Sequence, residues 1–467
     1  MHLVYQALAK NGKSDTAGCR EFIMGSDGPP PIRYNGRKPK QFHRVLITGI
    51  TGFVGPYVAK RFLERGATVS GLVKRRADRT EIEMLKWHGI HEDVRLIEGD
   101  LLGPSAVGRA LLEVRPDLVV HLAAQSFVAE SFHNPPSTIE VNVQGTANLL
   151  EALRLSGLTT RLLFAGSSEE YGLVISSERQ LADLEEKYGR VCPHPQKVPE
   201  LPITEDNPLR PVSPYAISKV LGDHLTRVYA NGLGLDAVVS RAFNHEGPGR
   251  GPMFVSSSII SQVAHLKYNG GDKVVLGNVN AFRDWSHVDD VIAGYCLLAE
   301  LGEVGQVYNI GSHRTNSVLT FLLWALEEAG FEVHTIKTVD GTKEIEEPTA
   351  RVQAPSFGLR SEMSRADQLL LEGQLSYTLE DRGLVVHTQK GAVGVEFDPQ
   401  RFRPLEVPIL LCDAGKLTAL GYQASRTVRD IIRDQLRYYY DRYPETQAGI
   451  VGSRCSKRAR WYAVDRQ

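Results

Sequence analysis

The stretch Val45-Leu-Ile-Thr-Gly-Ile-Thr-Gly-Phe-Val-Gly55 sets the expected fold of this chain. Its first four residues are a short apolar run with β-branched side chains, which predicts a buried strand. Three glycines follow, and apolar residues then recur at helical spacing from Pro56 to Arg65. A strand, a glycine turn and a helix in this order predict a site for the pyrophosphate of a dinucleotide, facing the free N–H groups at the start of the helix.

Each glycine of this turn has a predicted task. Gly49 permits the tight turn, Gly52 lets the backbone approach a phosphate, and Gly55 lets the helix pack closely on the strand. Three such glycines alone would indicate only a generic turn, so the interpretation depends on the strand before them and the helix after them.

Strands and helices alternate along the following two hundred residues. This spacing predicts an α/β fold, namely a Rossmann-type doubly wound parallel sheet with helices on both faces. The predicted strands are Val45–Thr48, Thr68–Val73, Val94–Ile97, Asp117–Leu122, Arg161–Ala165 and Asp236–Arg241, and the longest predicted helices are Ser137–Leu155 and Ser213–Tyr229.

Shifts in composition divide the chain into regions. Residues 1–43 are predicted to be an N-terminal arm, and residues 44–243 mainly the cofactor-binding domain, with an insertion at 173–200 that holds a short helix at 181–188. Residues 244–444 are predicted to form mainly a smaller, mixed, substrate-binding region. Its insertion, 344–394, includes a helical stretch at 361–371. Residues 445–467 form a basic tail.

Composition excludes several classes of function. The chain has 54 Lys and Arg against 55 Asp and Glu, so no basic excess favours a nucleic-acid partner. No run of about 18 apolar residues indicates a membrane helix, and the N-terminus lacks an apolar leader, so a cytoplasmic protein is expected. The five cysteines are scattered without a CxxC pair, which argues against a disulfide framework and a structural metal site.

The residues after the second predicted strand bear on the choice of cofactor. An NAD site tends to have an acidic residue there for the ribose hydroxyls, whereas this chain has Lys74, Arg75 and Arg76. Their positive charge suits a 2′-phosphate and favours NADP, although NAD stays possible. The alternative is a solvated basic patch.

Tyr215 and Lys219 are predicted to be catalytic. They lie four residues apart at the start of a predicted helix, so the phenol and the ammonium share one face. A nearby cation lowers the pKa of a phenol, and Tyr215 is therefore expected to exchange a proton with a substrate hydroxyl near neutral pH.

Polar residues follow the fifth predicted strand, at the sheet edge where ligands bind in such folds. Ser167 is predicted to donate a hydrogen bond to the same substrate oxygen as Tyr215. Glu169 is predicted to act as a general acid and base on a neighbouring carbon. The adjacent Glu170 is interpreted as an exposed loop carboxylate.

Together with further motifs, these residues resemble the extended short-chain dehydrogenase/reductases that act on nucleotide sugars, and within them the GDP-mannose 4,6-dehydratases. The further motifs are Gly99-Asp-Leu101, His121-Leu-Ala-Ala-Gln-Ser-Phe-Val128, Phe243-Asn-His-Glu-Gly-Pro-Gly-Arg-Gly251, Leu276-Gly-Asn-Val-Asn-Ala-Phe-Arg-Asp-Trp285 and Asp398-Pro-Gln-Arg-Phe-Arg-Pro-Leu-Glu-Val407. Ser167 stands where the dehydratases usually carry Thr, and the segments around Ser167 and Tyr215 are also similar to GDP-4-keto-6-deoxymannose reductases.

The resemblance implies further binding residues. Besides Gly49, Gly52, Gly55, Arg75, Arg76, Tyr215 and Lys219, the cofactor would contact Thr51, Phe53, Val54, Asp100, Leu101, Leu122, Ala123, Ala124 and His245. The nucleotide diphosphate sugar would contact Ser126, Asn244, Arg250, Arg283, Arg403 and Glu406. Arginine suits a diphosphate because its planar fork of donors matches the phosphate oxygens.

The reaction implied is an internal redox dehydration that yields a 4-keto-6-deoxy sugar and regenerates the cofactor. Glu169 favours this reaction over a 4-epimerase, which needs no base at C5, but a reductase stays open. A non-enzymatic NADP-binding scaffold is the remaining alternative. The resemblance also implies a homodimer or homotetramer that assembles through the helices at 137–155 and 213–229.

Overall fold

The computed structural model describes residues 38–74, 82–357, 359–403 and 405–450. The strands in these ranges are β1 (Arg44–Thr48), β2 (Thr68–Val73), β3 (Val94–Glu98), β4 (Leu118–His121), β5 (Arg161–Ala165), β6 (Asp236–Ala242), β7 (His245–Glu246), β8 (Lys273–Leu276), β9 (Phe282–Arg283), β10 (Ser286–His287), β11 (Val307–Ile310), β12 (Asn316–Ser317), β13 (Val333–Thr338), β14 (Glu344–Glu346), β15 (Arg351–Ser356), β16 (Leu359–Ser364), β17 (Gly383–Thr388) and β18 (Gly391–Phe397).

Helices connect and cover these strands. The α-helices are α1 (Val54–Leu63), α2 (Glu83–Trp87), α3 (Pro104–Val114), α4 (Val128–His133), α5 (Pro135–Ile139), α6 (Gly145–Ser156), α7 (Glu178–Tyr188), α8 (Pro214–Leu233), α9 (Val255–Asn269), α10 (Val288–Leu301), α11 (Val318–Glu328), α12 (Arg365–Leu371), α13 (Gly415–Thr418) and α14 (Val428–Ile450). Within the described ranges, no helix is both long enough and apolar enough to cross a membrane.

Seven parallel strands form the central sheet, in the order β11-β6-β5-β4-β1-β2-β3. The strand order reverses between β1 and β4, which pair in parallel from Val45 with Leu118 to Thr48 with His121. Ligands of such sheets bind in the crevice outside the carboxyl ends of the strands at this switch point. The predicted α/β fold class is confirmed, and the first six predicted strands all form.

The last strand of this sheet, β11, comes from the region predicted to be mainly substrate-binding. Its residues 307–310 pair in parallel with residues 239–242 of β6. A second sheet of five strands has the order β14-β13-β17-β18-β8 and is antiparallel except for the β18–β8 pair. Residues 344–394, predicted to be an insertion, supply β14 and β17 and begin β18, so they build about half of this second sheet.

Two predicted helices differ from the observed ones. The long helix predicted at 137–155 is observed as α5, a π-helical turn at Glu140–Gln144, and α6. Inside that turn, Asn142 accepts a hydrogen bond from the N–H of Gln125 at 2.7 Å and donates to its carbonyl at 3.0 Å. The helical stretch predicted at 361–371 begins only at Arg365, because residues 359–364 pair with 351–356 in a hairpin.

The predicted chain ends lie largely outside the described residues. Of the predicted arm, only residues 38–43 are described, and Phe42 packs edge-on against Phe62 of α1 with ring centroids 6.4 Å apart. Helix α14 continues to Ile450, and the rest of the basic tail lies outside the described residues. The short helix predicted at 181–188 forms and begins three residues earlier, as α7.

Candidate active site

The glycine turn lies at the carboxyl end of β1, against the end of β4. Gly49 adopts a left-handed conformation (φ +74°), and a Cβ atom there would lie 2.8 Å from the N atom of Ala123. A Cβ on Gly55 would lie 2.5 Å from the Cα of Ile50, so helix α1 contacts the turn as predicted. A Cβ on Gly52 would meet only one atom within 4 Å, which leaves the outer side of the turn open. The residues present therefore fit a dinucleotide pyrophosphate.

A polar chain behind the turn joins β1, β4 and α6. The hydroxyl of Thr48 lies 2.7 Å from Nδ1 of His121 and accepts a hydrogen bond from the N–H of Ala123 at 3.2 Å. Nε2 of His121 lies 3.0 Å from the Thr146 hydroxyl. Burial, helped by the positive charge of Lys219, lowers the pKa of His121 to about 3. His121 is thus a neutral structural link beneath the predicted cofactor residues 122–124.

Phe53, His245 and Arg250 stack beside the turn. The rings of Phe53 and His245 are nearly parallel, with centroids 6.3 Å apart. The Arg250 guanidinium lies 5.1 Å from the Phe53 centroid and 3.5 Å from that of Phe254, and it pairs with Glu246 at 3.3 Å. Burial lowers the pKa of His245 to about 4, which keeps its imidazole neutral.

The predicted catalytic residues converge where β5 ends. Ser167 caps a 3₁₀ turn at Ser168–Glu170, and its hydroxyl accepts from the N–H of Glu169 at 3.2 Å. Tyr215 lies in the first turn of α8, and Ser213 caps that helix through the N–H of Ala216 at 3.0 Å.

Lys219 lies one turn further along α8. Its ammonium donates to the carbonyl of Ala165, the last residue of β5, at 2.8 Å. Burial lowers the pKa of Lys219 to about 8. The helix cap and this bond to β5 fix the face of α8 that carries Tyr215 and Lys219.

The protonation of Tyr215 differs from the prediction. Burial raises the pKa of Tyr215, and the hydrogen bond from Ser167 offsets only part of this effect. The Lys219 ammonium is 6.0 Å from the centroid of the Tyr215 ring and is engaged with Ala165. The expectation of a lowered pKa for Tyr215 is therefore wrong for this structure, because burial disfavours the charged phenolate.

Two predicted diphosphate-binding arginines lie next to the catalytic turn. Arg403 donates to Glu169 at 3.3 Å, and Glu169 is 9% exposed. Arg283 donates to Glu406 at 2.6 Å and to the carbonyl of Val407 at 2.7 Å. Glu406 also lies 3.8 Å from Arg403. Four predicted site residues of alternating charge are thus linked in series, namely Glu169, Arg403, Glu406 and Arg283.

Other predicted site residues do not contact the group of catalytic residues at the end of β5 in the described part of the chain. Asp100 pairs with Lys74 at 2.9 Å, at the ends of β3 and β2. The hydrogen bond from the N–H of Leu102 lowers the pKa of Asp100, and the ammonium of Lys74 lowers it further. Ser126 is exposed. Arg75 and Arg76 lie outside the described residues.

Two side-chain amide oxygens of predicted site motifs have no hydrogen-bond partner among the described residues. Asn244 Oδ1 and Gln125 Oε1 are buried and lack a hydrogen-bond partner in the described part of the chain. A buried polar atom normally has a partner, so both oxygens are free to accept from a ligand. Asn244 was predicted to bind substrate, whereas Gln125 was not, although it lies within a motif that carries the resemblance.

Sequence reasoning missed the charged residues beneath the catalytic turn. Glu170 is fully buried, so its interpretation as an exposed loop carboxylate is wrong. It pairs with Arg241 of β6, which also binds Asp223 of α8. An arginine near the end of a strand predicted to be buried was the available signal, since a buried arginine needs an acidic partner.

The parallel sheet, its glycine turn and the Ser167–Tyr215–Lys219 group define an extended short-chain dehydrogenase/reductase fold. The chain matches the model of the NAD dependent epimerase/dehydratase family over residues 45–311, which is more than half of its length. This protein belongs to that family.

Named relatives agree with this assignment. A GDP-mannose 4,6-dehydratase, sdnI of Sordaria araneosa, is 31% identical over 86% of this chain, and the match spans 61% of that protein. A GDP-mannose 4,6-dehydratase of Sinorhizobium fredii (strain HH103) is 30% identical over 84% of this chain and 96% of its own. A GDP-6-deoxy-D-mannose reductase of Pseudomonas aeruginosa is 29% identical over 63% of this chain and 83% of its own.

A solved structure, that of RMD from Pseudomonas aeruginosa complexed with NADPH, shares the fold. It superposes with a TM-score of 0.57 at 23% identity, covering 85% of this chain and 99% of that one.

Proposed function

We propose that this protein dehydrates a nucleotide diphosphate hexose with NADP as cofactor, converting GDP-mannose to GDP-4-keto-6-deoxymannose. The observation that carries the proposal is the position of Glu169. Its carboxylate lies two residues from Ser167 and contacts Arg403, so a second base is available beside the Ser167–Tyr215 pair. The names of the Sordaria and Sinorhizobium relatives support the same reaction.

Each catalytic residue has one task in this reaction. The phenolate of Tyr215 takes the proton of the sugar O4, and Ser167 holds that oxygen through its hydroxyl. Glu169 then removes the C5 proton, which the 4-ketone has made acidic, and the C6 hydroxyl leaves as water. When bound, NADP supplies the reversible redox step. Arg283 and Arg403 hold the diphosphate, with Glu406 keeping the two guanidinium groups in place.

The preference for NADP over NAD rests on charge. Lys74, Arg75 and Arg76 follow β2, and Lys74 already neutralises Asp100. These three cationic residues can pair with a 2′-phosphate. None of them is an acidic residue that could bind the ribose hydroxyls, as in a typical NAD site. We expect tighter binding of NADP⁺ than of NAD⁺ in a fluorescence titration, and the reverse order would contradict this preference.

The alternatives are a GDP-4-keto-6-deoxymannose reductase, a 4-epimerase and a non-enzymatic scaffold. The Pseudomonas relative, named a reductase, keeps the first alternative open. An epimerase would leave Glu169 without a task. A scaffold would have no need of the Tyr215–Lys219 pair.

One incubation separates these functions. The chain is mixed with GDP-mannose and a catalytic amount of NADP⁺, and the 4-keto product is followed by mass spectrometry. A loss of one water per sugar with no net change in cofactor supports dehydration. Turnover only with stoichiometric NADPH and a keto sugar would establish the reductase, and cofactor binding without turnover of any nucleotide sugar would establish the scaffold.

Substitution of Glu169 tests the proposed base. Glu169→Gln should lower water elimination about 10²- to 10⁴-fold, the usual contribution of a general base. Tyr215 is intact in this variant, so a single-turnover mixture should still show cofactor reduction by absorbance. Glu178→Gln, which alters an exposed carboxylate at the start of α7, is the control and should match the wild type. Full activity of Glu169→Gln would remove Glu169 from the mechanism.

We also propose that the chain forms a homodimer or homotetramer through α6 and α8. Exposed apolar side chains on these two helices support the proposal. They are Leu155, Ile217, Leu221, Val228 and Leu233, which are 67, 44, 42, 60 and 51% exposed. Light scattering of the purified chain measures the mass, and a monomer would contradict this assembly.

A further inference from the structure

A buried group of charges lies directly beneath the catalytic turn. Glu170 and Asp223 have side chains with no exposure, and that of Arg241 is 2% exposed. The proposed chemistry uses none of the three. Burying several charges is costly unless they are paired and hydrogen-bonded, so their arrangement requires an explanation.

The Glu170 carboxyl holds the backbone of the catalytic turn. Its Oε1 atom accepts a hydrogen bond from the N–H of Ser167 at 2.7 Å. The same oxygen lies against Gly166, where an added Cβ would come within 2.5 Å of it. Glu170 therefore fixes the two residues that connect β5 to the Ser167 side chain.

The other oxygen of Glu170 faces Arg241 and Asp223. Nε of Arg241 donates to Glu170 Oε2 at 3.1 Å and to Asp223 Oδ2 at 2.9 Å. Asp223 also accepts from Arg227 at 2.7 Å. One guanidinium nitrogen thus holds the carboxyl groups of Glu170 and Asp223 side by side.

Two carboxylates held against one donor repel each other, and the repulsion is relieved when one of them carries a proton. Asp223 is bound by two arginines, whereas Glu170 shares only Arg241. Burial and the negative charge of Asp223 raise the pKa of Glu170. Glu170 is therefore the member of the pair that holds the proton.

Other titratable groups face Glu170 from the surrounding elements. Lys219 and Tyr215 approach from α8, and Tyr171 follows on its own turn. The Lys219 ammonium is bound to the Ala165 carbonyl, and the Tyr171 hydroxyl donates to Asn309 at 2.7 Å. Neither group replaces Glu170 as the acceptor for the N–H of Ser167.

We propose that Glu170 is a positioning residue for Ser167, acting as a neutral carboxylic acid that accepts from the Ser167 N–H and donates its proton to Asp223. The role of Ser167 in turnover rests on the proposed function, whereas the protonation of Glu170 does not. A hydroxyl displaced by about 1 Å at a reacting centre costs up to about a hundredfold in rate. Holding the turn is therefore a contribution to catalysis made through Ser167.

Two substitutions test the positioning role. Glu170→Gln keeps a carbonyl oxygen for Ser167 and an N–H donor for Asp223. It loses only the bond from Arg241 Nε, which Asp223 still accepts, so we expect a kcat close to the wild-type value. Glu170→Met fills a similar volume without an acceptor, and we expect kcat to fall about tenfold to a hundredfold. The KM for the sugar should change little in both variants, because Glu170 touches no residue predicted to bind the diphosphate. A wild-type kcat in Glu170→Met would overturn the proposal.

An infrared measurement tests the proton without any sugar. The wild-type spectrum minus that of Glu170→Gln should contain the carbonyl band of a protonated carboxyl at pH 7, and the band should shift when the glutamates are labelled with ¹³C. Subtraction is needed because burial also raises the pKa of Glu205 and Glu246. Absence of the band would overturn the proposal even if Glu170→Met failed to fold.

The two tests also separate this proposal from the proposed function. A band with no turnover of GDP-mannose would reject the dehydratase and keep the neutral Glu170. Dehydration without the band would reject only the neutral Glu170.

Discussion

Tyr215 and Lys219 show how burial acts at the scale of single residues. Burial raises the pKa of the phenol and lowers the pKa of the ammonium to about 8, so both groups are drawn towards their neutral forms. Burial thus opposes ionisation of Tyr215, which must lose its phenol proton before it accepts the proton of the proposed substrate.

Removal of the Tyr215 hydroxyl tests its role. Tyr215→Phe should lower kcat about 10²- to 10⁴-fold, because the proton of the sugar O4 then has no acceptor. Binding of NADP⁺, measured by fluorescence titration, should persist. Tyr229→Phe on the same helix removes only a hydroxyl bonded to Glu151 at 3.1 Å, and it should be as active as the wild type. Comparable activity of the two variants would exclude Tyr215 as the proton carrier.

Single residues also show what the sequence could predict about the site. Ser167, Glu169, Tyr215 and Lys219 sit in short motifs beside a strand end or a helix start, so local patterns were sufficient. The contact of Glu169 with Arg403 joins residues 234 positions apart, and the family resemblance alone brought Arg403 forward. The pKa of Tyr215 was predicted wrongly because spacing along a helix contains no information on burial.

At the scale of elements, the start of α1 depends on the absence of a side chain at Gly55. Gly55→Ala would place a Cβ 2.5 Å from the Cα and the carbonyl oxygen of Ile50, which are backbone atoms without freedom to move aside. We expect a loss of about 1–3 kcal/mol in the free energy of unfolding, as for other overpacked sites.

Urea denaturation measures this loss, and α3 offers a matched control. Gly108 lies inside that helix, and in the described part of the chain no atom beyond its neighbours and the helix backbone lies within 4 Å of an added Cβ. Gly108→Ala should therefore leave stability unchanged or raise it by up to about 1 kcal/mol, since alanine is the better helix former. Equal stability of the two variants would contradict the close packing of α1 on the turn.

Six of the seven strands of the central sheet were predictable, because most of them are buried apolar runs, whereas β11 was not predicted. The strands within residues 344–397 could not be assigned from the sequence, because charged residues recur there without a clear period. Residues 359–364 form a strand because the hairpin partner 351–356 is available, which local helical spacing does not reveal. The π-helical turn at Glu140–Gln144 likewise coincides with a tertiary contact, that of Asn142 with Gln125.

At the scale of the whole molecule, buried histidines tie stability to pH. Burial lowers the pKa of His121 to about 3 and that of His88 and His245 to about 4. In the unfolded chain each has a pKa near 6.5. As the pH falls below 6.5, the unfolded chain takes up protons that the folded chain does not, and the free energy of unfolding falls. The loss is at most about 1.4 kcal/mol per pH unit for each histidine.

Urea denaturation at pH 7 and pH 5 measures this loss. His121→Asn removes one of the three groups and should lower the dependence of stability on pH, whatever its stability at pH 7. His334→Asn, at an exposed position in β13, should keep the wild-type dependence. If all three proteins lost the same free energy between the two pH values, His121 would not contribute.

The contact between Glu169 and Arg403 can form only late during synthesis of the chain on the ribosome. Ribosomes add about 5–20 residues per second, so the 234 positions between the two residues take roughly 10 to 50 seconds to translate. During that time the glycine turn and the 3₁₀ turn have already been synthesised, α8 and Arg283 follow, and Arg403 does not yet exist. The order of synthesis therefore completes the glycine turn and α8 well before the contact between Glu169 and Arg403 can form.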